Sequence, residues 1–106
     1  MEYKVRISED AENDLFDIYY YVAVNDSFAN ADKLCNKLTL SASKLARYPM
    51  RGHFVKEISD TYPEIREVIC GPYLILYELE NSIVTVLAIL DGRRDVKKIL
   101  EERFLR

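Results

Sequence analysis

The stretch Ile65–Asp95, IREVICGPYLILYELENSIVTVLAILDGRRD, decides the fold. It contains three runs of apolar and β-branched residues whose period of two is typical of strands. The turn signals Gly71-Pro72 and Asn81-Ser82 separate these runs. Strands joined by such short turns pair as antiparallel neighbours. The stretch therefore predicts a small antiparallel sheet, and a pair of arginines follows its last strand at once.

Two helices are predicted upstream of the sheet. Residues 3–7 alternate as a first strand, and Ser8 then begins a helix whose first turn is acidic. Asp26 or Ser27 begins a second helix, which Pro49 ends. Each helix has one apolar stripe, so we expect the helical hairpin to pack on the sheet. Residues 50–64 are predicted to form a loop.

The chain end completes the predicted fold. Asp95 is expected to begin a short C-terminal helix. The resulting order is β-α-α-β-β-β with a C-terminal helix, an α+β fold with an N-terminal helical hairpin on the sheet. With 106 residues, the chain suits a single domain that spans residues 1–106.

Composition excludes several classes of function. The formal charge of −3 is unlike that of a general nucleic-acid binder, so we expect no direct sequence-specific DNA binding. Cys35, Cys70 and the single histidine, His53, are too few for a four-ligand zinc site, and we expect reduced thiols, no metal and no cofactor. No secretion signal or membrane-length apolar run is present, which predicts a cytoplasmic protein without membrane contact.

The remaining candidates for a contact site are basic and aromatic residues on the predicted sheet and its ends: Arg66, Tyr73, Tyr77, Arg93 and Arg94. A guanidinium group suits carboxylate or phosphate because it donates two parallel hydrogen bonds. The two tyrosines share a face of their strand, since they are four residues apart. Structural ion pairs with the neighbouring acids Glu64, Glu67 and Asp95 are an equal alternative for the arginines.

The chain resembles the RelE/ParE superfamily of toxins from bacterial type II toxin–antitoxin systems. The segments that carry the resemblance are, in chain order, SEDAENDLFDIYYYV, LARYPMRG, YPEIREVICGPYLILYEL and VLAILDGRRD. Among the branches, the chain looks most like ParE. The resemblance implies a toxin that a cognate antitoxin neutralises, with a role in plasmid stabilisation. ParE-like members are described as poisons of DNA gyrase, whereas RelE-like members cut mRNA on the ribosome without a metal.

One position helps to choose between these branches. Many relatives have a histidine directly before the sequence GRRD, where this chain has Asp91. Metal-free RNA cleavage needs a proton donor and acceptor beside cations. A nuclease would have to use Arg66, Arg93, Tyr77 and Asp91, so we assign no catalytic residue and favour a toxin that docks on DNA gyrase. A RelE-like nuclease acting on ribosome-bound mRNA and an inactive antitoxin-binding module remain as alternatives.

The two consecutive arginines receive different predicted roles. Arg93 is expected to make an exposed contact with the target or the antitoxin. Arg94 is expected to form a structural ion pair with Asp95 or with an acidic residue of the first helix.

Overall fold

A computed structural model describes residues 2–105. The helices are α1 (Glu9–Asn25), α2 (Phe28–Ser43) and α3 (Val96–Phe104), and the strands are β1 (Lys4–Ile7), β2 (His53–Phe54), β3 (Arg66–Cys70), β4 (Tyr73–Glu80) and β5 (Ile83–Asp91). The five strands form one sheet in the order β1-β5-β4-β3-β2. The predicted α+β class, the helical hairpin and the C-terminal helix are confirmed.

Local sequence signals set the helix starts. Ser8 accepts a hydrogen bond from the backbone N–H of Ala11, at 3.1 Å from nitrogen to oxygen. Ser27, and not Asp26, caps α2 by accepting from the N–H of Asn30. Asp95 does the same at α3. Each cap supplies an acceptor to an N–H group that has no partner within its own helix.

The sheet differs from the prediction in two respects. It is mixed and not purely antiparallel, because β1 pairs with β5 in parallel. In addition, the predicted loop at residues 50–64 contains the short edge strand β2, with His53 exposed on it, and a 3-10 turn at Lys56–Ile58. Strand pairing over such sequence distances is not specified by the alternation within one strand.

Both faces of the sheet are covered. On one face, Leu38 and Leu45 from the α2 region pack on Ile75 of β4. On the other face, Leu100 of α3 and Ile58 of the 3-10 turn belong to a second buried cluster. The further buried members of this cluster are Val55, Ile65, Leu76, Ala88 and Leu90. The sheet is therefore the middle of three layers, which explains the nearly continuous apolar sequence of β4 and β5. Within residues 2–105, no helix is both long and apolar enough to cross a membrane.

An irregularity in β5 determines which side chains reach α1. Leu76 is paired with Ala88, but the next residue, Tyr77, is paired with Val86, so Leu87 is an extra residue. Such a bulge reverses the alternation of side chains along the strand. Val86 therefore packs on the hairpin side before the bulge and Ile89 packs there after it. The bulge thereby directs the last part of β5 toward α1.

Candidate functional site

A cleft of about 300 Å³ lies between α1 and the end of β5. Three elements contribute to it: one face of α1, the start of β4, and the turn that follows β5. Its lining residues are Asp14, Asp17, Ile18, Tyr21, Tyr73, Ile89, Asp91, Arg93 and Arg94. Three of the five predicted contact residues, Tyr73, Arg93 and Arg94, therefore meet at one place. The contribution of α1 was not predicted, although Asp14, Ile18 and Tyr21 have the spacing of one helix face.

The turn after β5 is held by backbone hydrogen bonds. The N–H of Gly92 donates to the carbonyl oxygen of Pro72 in the β3–β4 turn, at 2.8 Å. The N–H of Arg94 donates to the carbonyl oxygen of Asp91, at 3.0 Å. A Cβ atom at Gly92 would lie 3.3 Å from the Pro72 oxygen, so the two turns approach each other closely. The arginines thus extend from an anchored turn and not from a loose chain end.

Arg93 forms a two-pronged ion pair with Asp91. Its Nε and Nη2 atoms donate to the two carboxylate oxygens at 3.1 and 3.0 Å, and its backbone N–H also donates to Asp91 at 2.9 Å. These hydrogen bonds lower the pKa of Asp91 and raise the pKa of Arg93. The Arg93 side chain nevertheless remains 90% exposed.

The predicted roles of the two arginines are therefore partly wrong. Arg93 is exposed as predicted, but it forms an ion pair with Asp91, whereas a structural ion pair was predicted for Arg94. Within the described residues 2–105, Arg94 takes part in no ion pair, and its side chain lies at the surface of the cleft. The carboxylate of Asp95 instead caps α3 by accepting from the N–H of Lys98.

Tyr73 connects the turn to the sheet. Its backbone is paired with that of Asp91, and its half-buried side chain faces α1. Burial and the negative charge of Asp91 raise the pKa of the Tyr73 hydroxyl, so it stays a neutral donor at physiological pH. Together with the exposed ring of Tyr21, it gives the cleft an aromatic wall beside the two arginines.

A buried ion pair between Asp14 and Arg103 lies at the inner wall of the cleft. Asp14 of α1 is 7% exposed and receives two hydrogen bonds from the guanidinium group of Arg103 in α3. The same carboxylate accepts a hydrogen bond from the backbone N–H of Ile89, with 2.9 Å between nitrogen and oxygen. It therefore ties α1, α3 and β5 together beyond the end of β1, where β5 is paired with β4 on one side only. Asp14 also raises the pKa of Arg103.

Tyr77 and Arg66 occupy a different end of the sheet. The Tyr77 ring is fully buried, and its hydroxyl donates to the carbonyl oxygen of Pro49 and accepts from the N–H of Gly52, both at 2.8 Å. A Cβ atom at Gly52 would lie 2.6 Å from that hydroxyl, so only glycine fits. The side chain of Tyr77 is therefore packed inside the protein and is not exposed for the predicted contact with a partner.

Arg66 is held beside Tyr77. Its Nη1 atom donates to the carbonyl oxygen of Gly52 at 2.8 Å, and its guanidinium carbon lies 4.2 Å from the centre of the Phe54 ring. The suggested ion pairs with Glu64 or Glu67 are replaced by these contacts. Arg66 is paired with Tyr77, whereas Asp91 is paired with Tyr73, about 13 Å away along β4. The four residues that a nuclease would need thus divide into two separate pairs.

Metal-binding groups are sparse in this structure. Within residues 2–105, no three His, Cys, Asp or Glu side chains are grouped so as to hold a metal ion. Cys35 and Cys70 are both free thiols, Cys70 buried and Cys35 half-buried.

Comparison with known proteins shows which proteins this chain resembles. No curated protein matches the chain, but twelve chains of solved structures do, and two of them show the shared fold. A chain of the chromosomal ParDE toxin–antitoxin system from P. aeruginosa has 17% identity and a TM-score of 0.71, covering 83% of this chain and 94% of its own. A chain of the RelBE2 toxin–antitoxin complex from Mycobacterium tuberculosis has 19% identity and a TM-score of 0.57, covering 86% and 92%.

The sequence itself matches one protein family over most of its length. The match covers residues 5–96, and the family is described as the ParE toxin of the type II toxin–antitoxin system parDE. It runs from the second residue of β1 to the first residue of α3, and so includes all residues that line the cleft. The chain therefore belongs to the ParE toxin family of type II toxin–antitoxin systems.

Proposed function

We propose that this protein inhibits growth by docking on DNA gyrase and that a cognate antitoxin neutralises it. In this proposal the protein works as one domain, residues 1–106, in the cytoplasm, and the gene pair stabilises a plasmid. The contact with the target is made by the cleft, through Tyr73, Arg93 and Arg94.

The observation that carries the proposal is the anchored, exposed turn at the end of β5. A docking surface needs side chains in fixed positions that reach solvent. The Asp91 carboxylate orients Arg93, and Arg94 is exposed beside it. Arginine and tyrosine are also enriched among the residues that dominate protein–protein binding.

The alternative of a RelE-like ribosome-dependent nuclease has weaker support. Its acid, base and phosphate clamp must act on one phosphodiester group. Here Tyr77 is buried and Arg66 is engaged at the other end of β4. The carboxylate of Asp91 is already bound by Arg93, and its lowered pKa makes it a poor proton donor near pH 7. The other alternative, an inactive antitoxin-binding module, predicts that expression of the protein does not arrest growth.

A supercoiling assay with purified DNA gyrase tests the proposal. We expect the wild-type protein to inhibit supercoiling or to stabilise cleaved DNA, and we expect Arg93→Ala together with Arg94→Ala to abolish this effect. Arg51→Ala is the matched control, since Arg51 is exposed but lies in the loop before β2. Full gyrase activity in the presence of soluble wild-type protein would contradict the proposal.

A further inference from the structure

The loop between α2 and β2 presents basic and apolar side chains to solvent. Residues 44–56 contain four basic residues and no acidic residue. Arg47, Tyr48, Met50 and Arg51 are all exposed, and the exposed fractions of Tyr48 and Met50 are 60% and 61%. These four residues line one groove of about 510 Å³. We call the surface that they form the basic patch.

The loop that carries the basic patch is anchored from inside the protein. The Tyr77 hydroxyl donates to the carbonyl oxygen of Pro49 and accepts from the N–H of Gly52. The guanidinium group of Arg66 donates to the carbonyl oxygen of Gly52. These contacts hold the backbone in place while the patch side chains reach solvent. A surface with a fixed backbone loses less conformational freedom on binding.

The charge of the basic patch is open to a further partner. Arg47 forms a loose ion pair with Glu2, at 3.9 Å, in which the two side chains are 71% and 70% exposed. Arg51 takes part in no ion pair within residues 2–105. Both arginines can therefore receive a carboxylate from another molecule.

The outer face of α1 has the opposite charge. Phe16, Tyr20 and Val24 are exposed and four residues apart, so they form one row along the helix. The segment Glu9–Asn25 contains five acidic residues and no basic residue. Among these acidic residues, Glu12 lines a groove together with Phe16. We call the surface of Glu12, Phe16, Tyr20 and Val24 the acidic row.

The acidic row and the basic patch are complementary to each other and not to themselves. Each has neighbouring exposed apolar side chains, which indicate an interaction site. Two acidic rows, or two basic patches, would bring like charges together, which is costly at an interface. An acidic row on a basic patch combines apolar burial with opposite charges. Both surfaces are exposed in one molecule, so their contact requires a second copy.

We propose that this protein associates head to tail, with the acidic row of one copy on the basic patch of the next. Because the contact uses two different surfaces, every complex keeps one free row and one free patch. Further copies therefore add as the concentration rises, unless the rotation between copies closes a ring. Neither surface includes Tyr73, Arg93 or Arg94 of the cleft. Self-association is thus separate from the contact with DNA gyrase in the proposed function.

Sedimentation velocity of the purified full-length protein tests for self-association. We expect the weight-average sedimentation coefficient to rise with protein concentration. The rise should be smaller at high salt, since salt screens exposed charges. A protein that stays monomeric at every concentration, or that associates more strongly at high salt, would overturn the proposal.

Two variants separate a head-to-tail contact from a symmetric one. Phe16→Ser/Tyr20→Ser removes the aromatic side chains of the acidic row and keeps the basic patch, whereas Tyr48→Ser/Arg51→Glu does the reverse. Each variant alone should associate at least about 10-fold more weakly than the wild type, because aromatic and arginine side chains dominate most interfaces. An equimolar mixture should form a complex with wild-type affinity, since each variant supplies the surface that the other lacks. This complex should stop at two copies, because no second pair of intact surfaces remains.

Ile69→Ser is the matched control, because Ile69 is 61% exposed but belongs to β3 and lies in neither surface. We expect it to associate like the wild type, and circular dichroism verifies first that all variants are folded. If either double variant alone associates as strongly as the wild type, or if the mixture of the two forms no complex, the head-to-tail contact is wrong.

Discussion

Two aspartate–arginine pairs border the same cleft in different surroundings. Asp14 and Arg103 join α1 to α3, with side chains that are 6% and 17% exposed. Asp91 and Arg93 are two residues apart in one turn, and the arginine is 90% exposed. In both pairs, the guanidinium group donates hydrogen bonds to both carboxylate oxygens. The difference teaches that geometry alone does not assign a role: burial makes the first pair structural, and exposure leaves the second available to a partner.

The largest expected effect comes from breaking the buried pair. Asp14→Ala removes the carboxylate that accepts two hydrogen bonds from Arg103 and one from the backbone N–H of Ile89. We expect the free energy of unfolding to fall by about 3–5 kcal/mol, a large part of the stability of a small domain. Urea denaturation followed by circular dichroism measures this. A loss no larger than that of Arg93→Ala would show that the two pairs are equivalent after all.

The hydrogen bonds of the buried Tyr77 hydroxyl show whether an uncharged buried contact also stabilises the fold. Tyr77→Phe removes the hydroxyl that serves both the Pro49 oxygen and the Gly52 N–H. We expect a loss of about 1–3 kcal/mol in the free energy of unfolding, because backbone groups become unsatisfied inside the protein. The same denaturation experiment applies, with Tyr48→Phe, an exposed tyrosine, as the control. Equal values for the two variants would contradict the assignment of Tyr77 as a structural residue.

Breaking the exposed pair should separate function from stability. We expect Arg93→Ala to leave the denaturation midpoint unchanged within error, because exposed ion pairs contribute little. Growth inhibition should nevertheless be lost or strongly reduced. Growth curves after induction, with the protein level followed on blots, measure this effect. A stable Arg93→Ala variant that is still fully toxic would remove Arg93 from the contact surface.

The smallest expected effect is the pH response of the exposed pair. Arg93 lowers the pKa of Asp91 below its ordinary value of 3.8. The contribution of a carboxylate with a lowered pKa is present above the ordinary pKa and is lost as the pH falls through the folded-state value. The pair should thus be intact at neutral pH and open only in acid below about pH 4.

An NMR titration of the Asp91 carboxyl carbon measures this pKa directly. We expect Arg93→Ala to return it toward 3.8. An identical pKa in the wild type and the variant would show that the hydrogen bonds between the two side chains do not persist in solution.

The sequence predicted the features that depend on neighbours along the chain. The helix caps at Ser8 and Asp95 and the strand Tyr73–Glu80 follow from local spacing and composition. The hairpin turn at Asn81 and Ser82 does too, since both have positive φ there. These signals extend over a few residues, so a single sequence is enough to read them.

The features that the sequence did not predict depend on residues far apart in the chain. Asp14 is 89 residues from Arg103 and 75 from Ile89. The bulge at Leu87 inverts the alternation of β5 without any glycine or proline to signal it. As a result, Tyr73 and the arginines could be predicted as contact residues from the sequence. The burial of Tyr77 and the contribution of α1 to the cleft could not.

The mapping of transcript 5′ ends in cells, minutes after tightly controlled induction, tests the central claim most directly. The proposal of a docking toxin predicts growth arrest without new 5′ ends, because docking on DNA gyrase does not cut RNA. New ends inside coding regions in phase with codons, absent after induction of Arg93→Ala, would contradict it and would make the protein a ribosome-dependent nuclease.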